Sequence, residues 1–336
     1  MHKFSIILPV RNGGNYVKDC VQSLLNQTYP YYNIIILDNN SNDGTLQWLQ
    51  ALQHPSITIY TSATTLTIEQ NWARALQVPT HEFITLIGHD DILAPQFLAT
   101  IQQLISQHPM ATLYHTHFNF ITASGGILRA SKPMQATIQP HELIAGFLNQ
   151  SIDAMGTGYV MRSTHYQAIG GIPTKYPNLL FADFELWIQA ALKGYMVVAP
   201  GNCFSFRVHQ SVTSTTADAV LHHALGMYVD FLCTIINTSD ACKKAINNNA
   251  LQFLLYYTKG FSHRLLRTSF KKRKPLTVHR FIDYTYTLAR KLQIEHAFFP
   301  KKKATICVAL FIDSNFVTRR LFIWIKQLLK GPILKN

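Results

Sequence analysis

Over the first ninety residues, short unbroken apolar runs alternate with stretches whose apolar positions recur at helical spacing. Phe4–Val10, Asn33–Leu37 and Ile57–Tyr60 read as strands, and Phe83–Ile87 as a buried strand. Between them, Tyr16–Asn26 places apolar residues at 17, 21, 24 and 25. A helix through Leu46, Leu49 and Leu52 follows the turn Asn42-Asp43-Gly44, and Glu69–Leu76 completes a third. Phe97, Leu98, Ile101, Leu104 and Ile105 mark another helix after the fourth strand. Strands separated by helices call for right-handed crossovers and a mostly parallel sheet.

After about residue 110 the pattern is mixed. Thr112–Ile121 predicts a strand and Gly125-Gly126 a turn. Met155-Gly156-Thr157-Gly158 precedes the apolar piece Tyr159–Met161; its glycines suit either a close backbone approach to a ligand or a plain bend. Phe181–Lys193 reads as a helix opening with Asp183 and Glu185, and Tyr195–Ala199 and Cys203–His209 as two short strands. From Ser214 onward the chain is helical, over Ala217–Ile236, Ala241–Leu266 and Val278–Leu292. Ala304–Ile312 is too short an apolar run to span a bilayer. Asn315–Lys330 carries Val317, Leu321, Trp324, Ile325 and Leu328 on one face and Arg319, Lys326 and Lys330 on the other, a basic amphipathic helix.

Charge sharpens this division. Residues 1–200 hold nine Lys and Arg against eleven Asp and Glu, whereas residues 259–336 hold eighteen against three. The basic excess belongs to the C-terminal part and points to an anionic partner surface. The basic runs 271–274 and 301–303 lack interleaved stacking aromatics, and no helix-turn-helix or zinc pattern occurs, which argues against nucleic acid. The five cysteines form no Cys-x-x-Cys pair, as suits a reducing cytoplasm. The opening residues run straight into the first strand, without the pattern of a signal peptide.

Polar residues gather where strands end, the place at which open α/β sheets bind ligands. The first strand ends in Pro9-Val10-Arg11-Asn12, the second in Asp38-Asn39-Asn40-Ser41-Asn42-Asp43-Gly44-Thr45, and the fourth in Gly88-His89-Asp90-Asp91. A carboxylate or amide after the second strand suits a base or ribose. A carboxylate pair after the fourth suits a divalent ion on a diphosphate, or else a cap for the helix that follows. Asp183 at a helix start suits a proton acceptor or, again, a cap. Arg11 suits a donor phosphate as well as open solvent.

Over residues 3–212 these features, in this order, resemble the family 2 glycosyltransferases of the GT-A fold. Phe4–Asn12 is similar to the family's first strand and loop, Ser23–Thr28 to the end of its first helix, and Leu37–Thr45 to its nucleotide motif. His89-Asp90-Asp91 falls on its metal-binding Asp-x-Asp motif, Ala182–Trp187 on the segment bearing its base, and Arg207-Val208-His209 on a motif near the diphosphate. The resemblance implies a GT-A domain over 1–213, a helical basic region over 214–336, and inverting transfer from a nucleotide-diphosphate sugar to a hydroxyl of a glycan or lipid-linked acceptor in cell-envelope polysaccharide synthesis. It assigns Asp183 as base; Pro9, Arg11, Asp38, Asn39 and His209 to the donor; and Asp90 with Asp91 to Mn or Mg. With the basic tail it implies a cytoplasmic enzyme resting peripherally on the inner face of an anionic membrane. Gly88, Asn39 and Ala182 depart from the family's acidic pattern. A sugar- or nucleic-acid-binding protein without catalysis is the other reading, against which stand Asp90, Asp91 and Asp183.

Overall fold

In a computed structural model of the chain, residues 1–208, 216–273 and 275–328 are described. They form two compact units, residues 1–143 with 150–209, and residues 144–149 with 210–336.

The first unit is built on a ten-stranded sheet. Its strands are β1 (Phe4–Val10), β2 (Tyr32–Asp38), β3 (Ile57–Thr61), β4 (Phe83–Leu86), β5 (Ile92–Leu93), β6 (Leu113–Ile121), β7 (Ile127–Ala130), β8 (Thr137–Ile138), β9 (Val160–Arg162) and β10 (Met196–Arg207). The order is β3-β2-β1-β4-β9-β6-β10-β5, with β7 on β6 and β8 on β10. The unit's helices are α1 (Gly14–Leu25), α2 (Thr45–Ala51), α3 (Ile68–Ala73), α4 (Phe97–Gln107), α6 (Ser163–Ala168) and α7 (Ala182–Ala191), while α5 (Pro140–Asn149) starts in this unit and has residues 144–149 in the second. All seven residues of β1 are buried, as a strand covered on both faces requires. It pairs in parallel with β2 and β4, and β2 with β3. Helix α1 buries Val17, Val21 and Leu24 of the stripe its spacing predicts, together with Cys20, while Leu25 is half-buried.

The second half departs from the simple alternation. Strand β9 enters antiparallel between β4 and β6. The two short strands expected at 195–209 are one, β10, parallel to β6 with bulges between Ala199 and Phe204. The bulges fall where Pro200 and Gly201 interrupt the apolar run. The result is the expected α/β class, with a parallel body and antiparallel additions.

The second unit is helical: α8 (Asp218–Ile235), α9 (Asp240–Arg267), α10 (Val278–Lys291), α11 (Ala304–Ser314) and α12 (Phe316–Leu328). No helix among the described residues is long and apolar enough to cross a membrane.

Candidate functional site

The loops after β1 and β2 are joined by hydrogen bonds from backbone to side chain. Asn12 N–H donates to Ser41 Oγ at 3.0 Å, Gly13 N–H to Thr45 Oγ1 at 3.0 Å, and Gly14 N–H to Asp43 Oδ2 at 3.1 Å. Asn42 N–H returns to Asn12 Oδ1 at 2.9 Å. The short polar side chains of the 41–45 segment thus stand in for sheet partners once β1 and β2 have ended. Pro9 is buried within β1 and Arg11 stands exposed beyond it. Asp38 is fully buried at the end of β2. Its Oδ2 accepts from Ser41 N–H at 3.3 Å, while Oδ1 has no protein partner. Asn39 turns away from this edge. Its amide donates to Leu66 O at 3.0 Å and accepts from Leu66 N–H at 2.7 Å, so its side chain holds the 62–67 loop.

The turn after β4 separates two adjacent carboxylates. Ile87 N–H extends the pairing with β1 onto Ile7 O, and Asp91 N–H closes the turn on Gly88 O at 3.2 Å. Asp91 is 2% exposed; Thr157 Oγ1 donates to its Oδ2 at 2.5 Å and Arg207 N–H to its Oδ1 at 3.0 Å. Burial, and then the Asp90 charge, push the Asp91 carboxyl up to about 8, while these two hydrogen bonds and the Arg207 cation pull it down. Asp90 is half-buried. A Cβ added at Gly88 would lie 2.8 Å from Asp90 Oδ1 and 3.3 Å from Asp91 Oδ2. The two carboxylates therefore occupy the room that a side chain at 88 would need, which is the physical content of the departure at this position.

Arg207 orders the turn from beneath. It is 3% exposed; its Nε donates to Asp90 O at 2.8 Å, Nη1 to Ala123 O at 2.8 Å and Nη2 to Asp19 Oδ2 at 3.3 Å. The guanidinium also lies over Tyr16, 4.8 Å from the ring centroid. His209, two residues on, lies outside the described residues.

Asp183 stands in the first turn of α7, where the helix dipole favours its charge. Its Oδ1 accepts from Phe184 N–H at 3.0 Å, and burial raises the carboxyl to about 6. The approach to α7 is strained, with Asn178, Leu179 and Phe181 all in the left-handed region at φ of 54°, 54° and 70°. Glu185 points inward and is fully engaged. It accepts from Tyr176 Oη at 2.5 Å and Gln189 Nε2 at 2.9 Å, and Lys175 Nζ lies 2.9 Å away.

The Met155–Gly158 segment ties the Asp91 turn to α7. Trp187 Nε1 on α7 donates to Met155 O at 2.9 Å, and Thr157 Oγ1 both accepts from Gly88 N–H at 3.1 Å and donates to Asp91. Gly158 has φ +88°, and a Cβ there would lie 2.2 Å from the Phe204 ring, so the glycine serves close packing. Tyr159 stacks between His115 and Trp187, with ring centroids at 4.0 and 4.3 Å. Sequence reasoning passed over Thr157 and treated Arg207 as part of a motif. No local signal marks either one, because their partners lie 66 and more than 100 residues away.

The acid set is small for a metal. Among the described residues no group of three or more His, Cys, Asp or Glu is placed to hold an ion. Asp91 spends both oxygens internally, whereas Asp90 is the half-buried carboxylate of the pair. One carboxylate plus substrate phosphates is how Mg²⁺ is commonly held, so these residues fit an ion that arrives with a diphosphate.

A parallel sheet with stitched loops at the ends of β1 and β2, and an acidic turn after β4, defines a GT-A fold. Staphylococcus aureus TarS residues 1–349, solved in complex with UDP-GlcNAc, superimposes with a TM-score of 0.69 at 14% identity, over 98% of this chain and 92% of that one. The mannosyltransferase PcManGT from Pyrobaculum calidifontis, solved with GDP-Man and Mn²⁺, gives 0.55 at 13% identity over 96% and 87%. The Glycosyl transferase family 2 model matches residues 5–167 of the chain. The putative teichuronic acid biosynthesis glycosyltransferase TuaG of Bacillus subtilis is 22% identical over 223 residues, 62% of this chain and 81% of that protein. Glycosyltransferase GlyG of Streptococcus pneumoniae serotype 4 is 24% identical over 123 residues, 36% of this chain. That match spans 41% of GlyG, and the match to an uncharacterised Rickettsia conorii glycosyltransferase spans 30% of its length, so the chain covers well under half of these relatives.

Proposed function

We propose that the chain transfers a sugar, with inversion, from a nucleotide-diphosphate donor to a hydroxyl of a glycan or lipid-linked acceptor in cell-envelope polysaccharide synthesis. Residues 1–213 carry the chemistry. Residues 214–336 hold the enzyme on the cytoplasmic face of an anionic membrane. The observation that carries the reading is the division of labour among three carboxylates: Asp91 locked inside, Asp90 half-buried beside it, and Asp183 raised to about 6 on a helix pinned to the same turn.

Asp38 and Arg11 line the donor edge with Pro9 beneath them, and the unpartnered Asp38 Oδ1 suits an N–H or O–H of the nucleoside. Asn39 contributes by fixing the 62–67 loop. Asp90 and the donor phosphates would hold Mn²⁺ or Mg²⁺, which when bound offsets the negative charge gathering on the diphosphate. Asp183 takes the proton of the acceptor hydroxyl as that oxygen bonds to the anomeric carbon. The bond from that carbon to the phosphate oxygen breaks, and the nucleoside diphosphate leaves with the electron pair. No glycosyl-enzyme intermediate forms, so one base suffices. The relatives support this reading through their names: a transferase of teichuronic acid biosynthesis, and solved neighbours bound to UDP-GlcNAc or GDP-Man.

The test is nucleoside diphosphate release from a panel of nucleotide sugars, with and without added Mn²⁺. Metal-dependent turnover of one donor class supports the reading. Binding with no turnover, for every donor and with cell-envelope glycans supplied, would make this a binding protein instead.

A further inference from the structure

The last helix of the second unit, α12, is packed inside out. In α12 the buried side chain is an arginine. Arg319 is 5% exposed, and its guanidinium donates to Asp313 Oδ1 at 3.2 Å, to Leu265 O at 3.3 Å and to Thr268 O. Leu265 and Thr268 sit at the C-terminal end of α9, where carbonyls lack helical partners and the dipole is negative. Arg319 is thus the cap of α9, and that contact sets the rotation of α12. Asp313 is held in turn by Arg273 and by Val278 N–H at 2.7 Å.

With Arg319 inward, the apolar stripe of α12 faces out. Val317, Leu321, Trp324, Ile325 and Leu328 are between 42% and 68% exposed, and Val308 and Phe311 of α11 are 55% and 67% exposed. Soluble surfaces rarely gather so many large apolar side chains on two consecutive helices. The charges around them share one sign. After Glu295 the chain has eight Lys and Arg and a single acid, Asp313, whose side chain is buried. Lys301, Lys302, Lys303 and Arg320 are exposed.

We infer that the α11–α12 face inserts shallowly into an anionic lipid surface, with Leu321, Trp324 and Leu328 among the acyl chains and Lys301–Lys303 and Arg320 among the headgroups. Charge complementarity selects this occupant. A second copy would bring the same cations against this face, and aliphatic Val, Leu and Ile offer no stacking platform for nucleic acid bases. Apolar insertion plus a basic rim supplies the two signals that stable peripheral binding needs. The inference rests on the membrane-side reading above and adds the docking face.

The experiment sediments the full chain with vesicles of phosphatidylcholine alone, or of phosphatidylcholine mixed with phosphatidylglycerol, while nucleoside diphosphate binding is measured on the same preparations. The expected result is at least about tenfold tighter binding to the anionic vesicles, since each nearby Lys or Arg adds roughly 1 kcal/mol. Binding should weaken in high salt and be lost in Leu321→Glu/Trp324→Glu. A blue shift of tryptophan emission on anionic vesicles should disappear in Trp324→Phe. These positions face outward, so the variants should keep the parental melting temperature and nucleotide affinity. Equal binding to both vesicle types, undiminished binding by the double variant, or a dimer that the double variant converts to monomer would each overturn the docking. A protein that binds nucleotide and ignores vesicles would overturn the docking alone and leave the transfer reading intact.

Discussion

Both units bury an arginine side chain against backbone carbonyls, Arg207 in the first and Arg319 in the second, and these two make opposite kinds of surface. Arg207 lies under the turn after β4, on the carbonyls of Asp90 and Ala123 and the carboxylate of Asp19. Arg319 lies under α12, on the carbonyls that end α9 and on Asp313. A buried guanidinium bonded to several oxygens acts as a rigid pin, and what it displaces outward is what the surface offers. In the first region the pin leaves Asp90 half-buried and draws Asp91 inside. In the second it turns a Trp, Leu and Ile stripe to the outside. The lesson is that the inward-facing residue decides what each region presents, and in both cases that residue is the one a polarity pattern would place in solvent.

The largest effect expected is on stability, from removing the pins. Arg207→Met leaves the carbonyls of Asp90 and Ala123 without their guanidinium donors, and should cost about 3 kcal/mol or more in denaturant unfolding and abolish nucleoside diphosphate binding. Arg319→Met should cost a similar amount, since it strips a buried carboxylate and a helix end of one partner, yet leave the nucleotide affinity of the folded protein unchanged. Equal loss of nucleotide binding in both variants would erase the distinction between the regions.

If the first region is built for chemistry, Asp183→Asn should lower kcat roughly 10²-fold or more with donor affinity preserved, measured as nucleoside diphosphate release. Unchanged turnover with lost affinity would move Asp183 to the donor side. A smaller effect tests the link between the Asp91 turn and α7. Thr157→Val leaves Gly88 N–H and Asp91 Oδ2 each short of a partner and should cost about 1–3 kcal/mol, whereas Thr157→Ser should restore most of it. The smallest effect is on pH. Burial raises Asp183 to about 6, and a base works deprotonated, so kcat/KM should be flat above that value and fall as pH drops through it. A profile flat down to pH 5 would mean that another group accepts the proton.

Much of this was written in the sequence where the physics is local. Continuous burial of β1 and β4 and most of the stripe of α1 follow from residue spacing, the strand ends pointed to Asp38 and Asp90, and a helix start to Asp183. The sequence pattern did not show that β9 runs antiparallel, because a three-residue apolar piece carries no direction. Nor did it separate Asp90 from Asp91. Neighbours in a turn are chemically identical on paper, and Thr157, 66 residues away, settles which one is buried. Asn39 illustrates the same limit, since its amide is spent on Leu66, 27 residues on. The apolar stripe of α12 was legible, but its outward rotation depends on where α9 ends.

The account's central claim is that Asp90, with the donor's own phosphates, makes the metal site, while Asp91 only supports it. It is tested most directly by Mn²⁺ binding, measured by calorimetry or electron paramagnetic resonance, with and without nucleoside diphosphate. The wild-type protein should take up Mn²⁺ only when nucleoside diphosphate is present, and Asp90→Asn should lose that uptake while still folding. Equal Mn²⁺ binding without nucleotide, or undiminished nucleotide-dependent binding by Asp90→Asn, would contradict it.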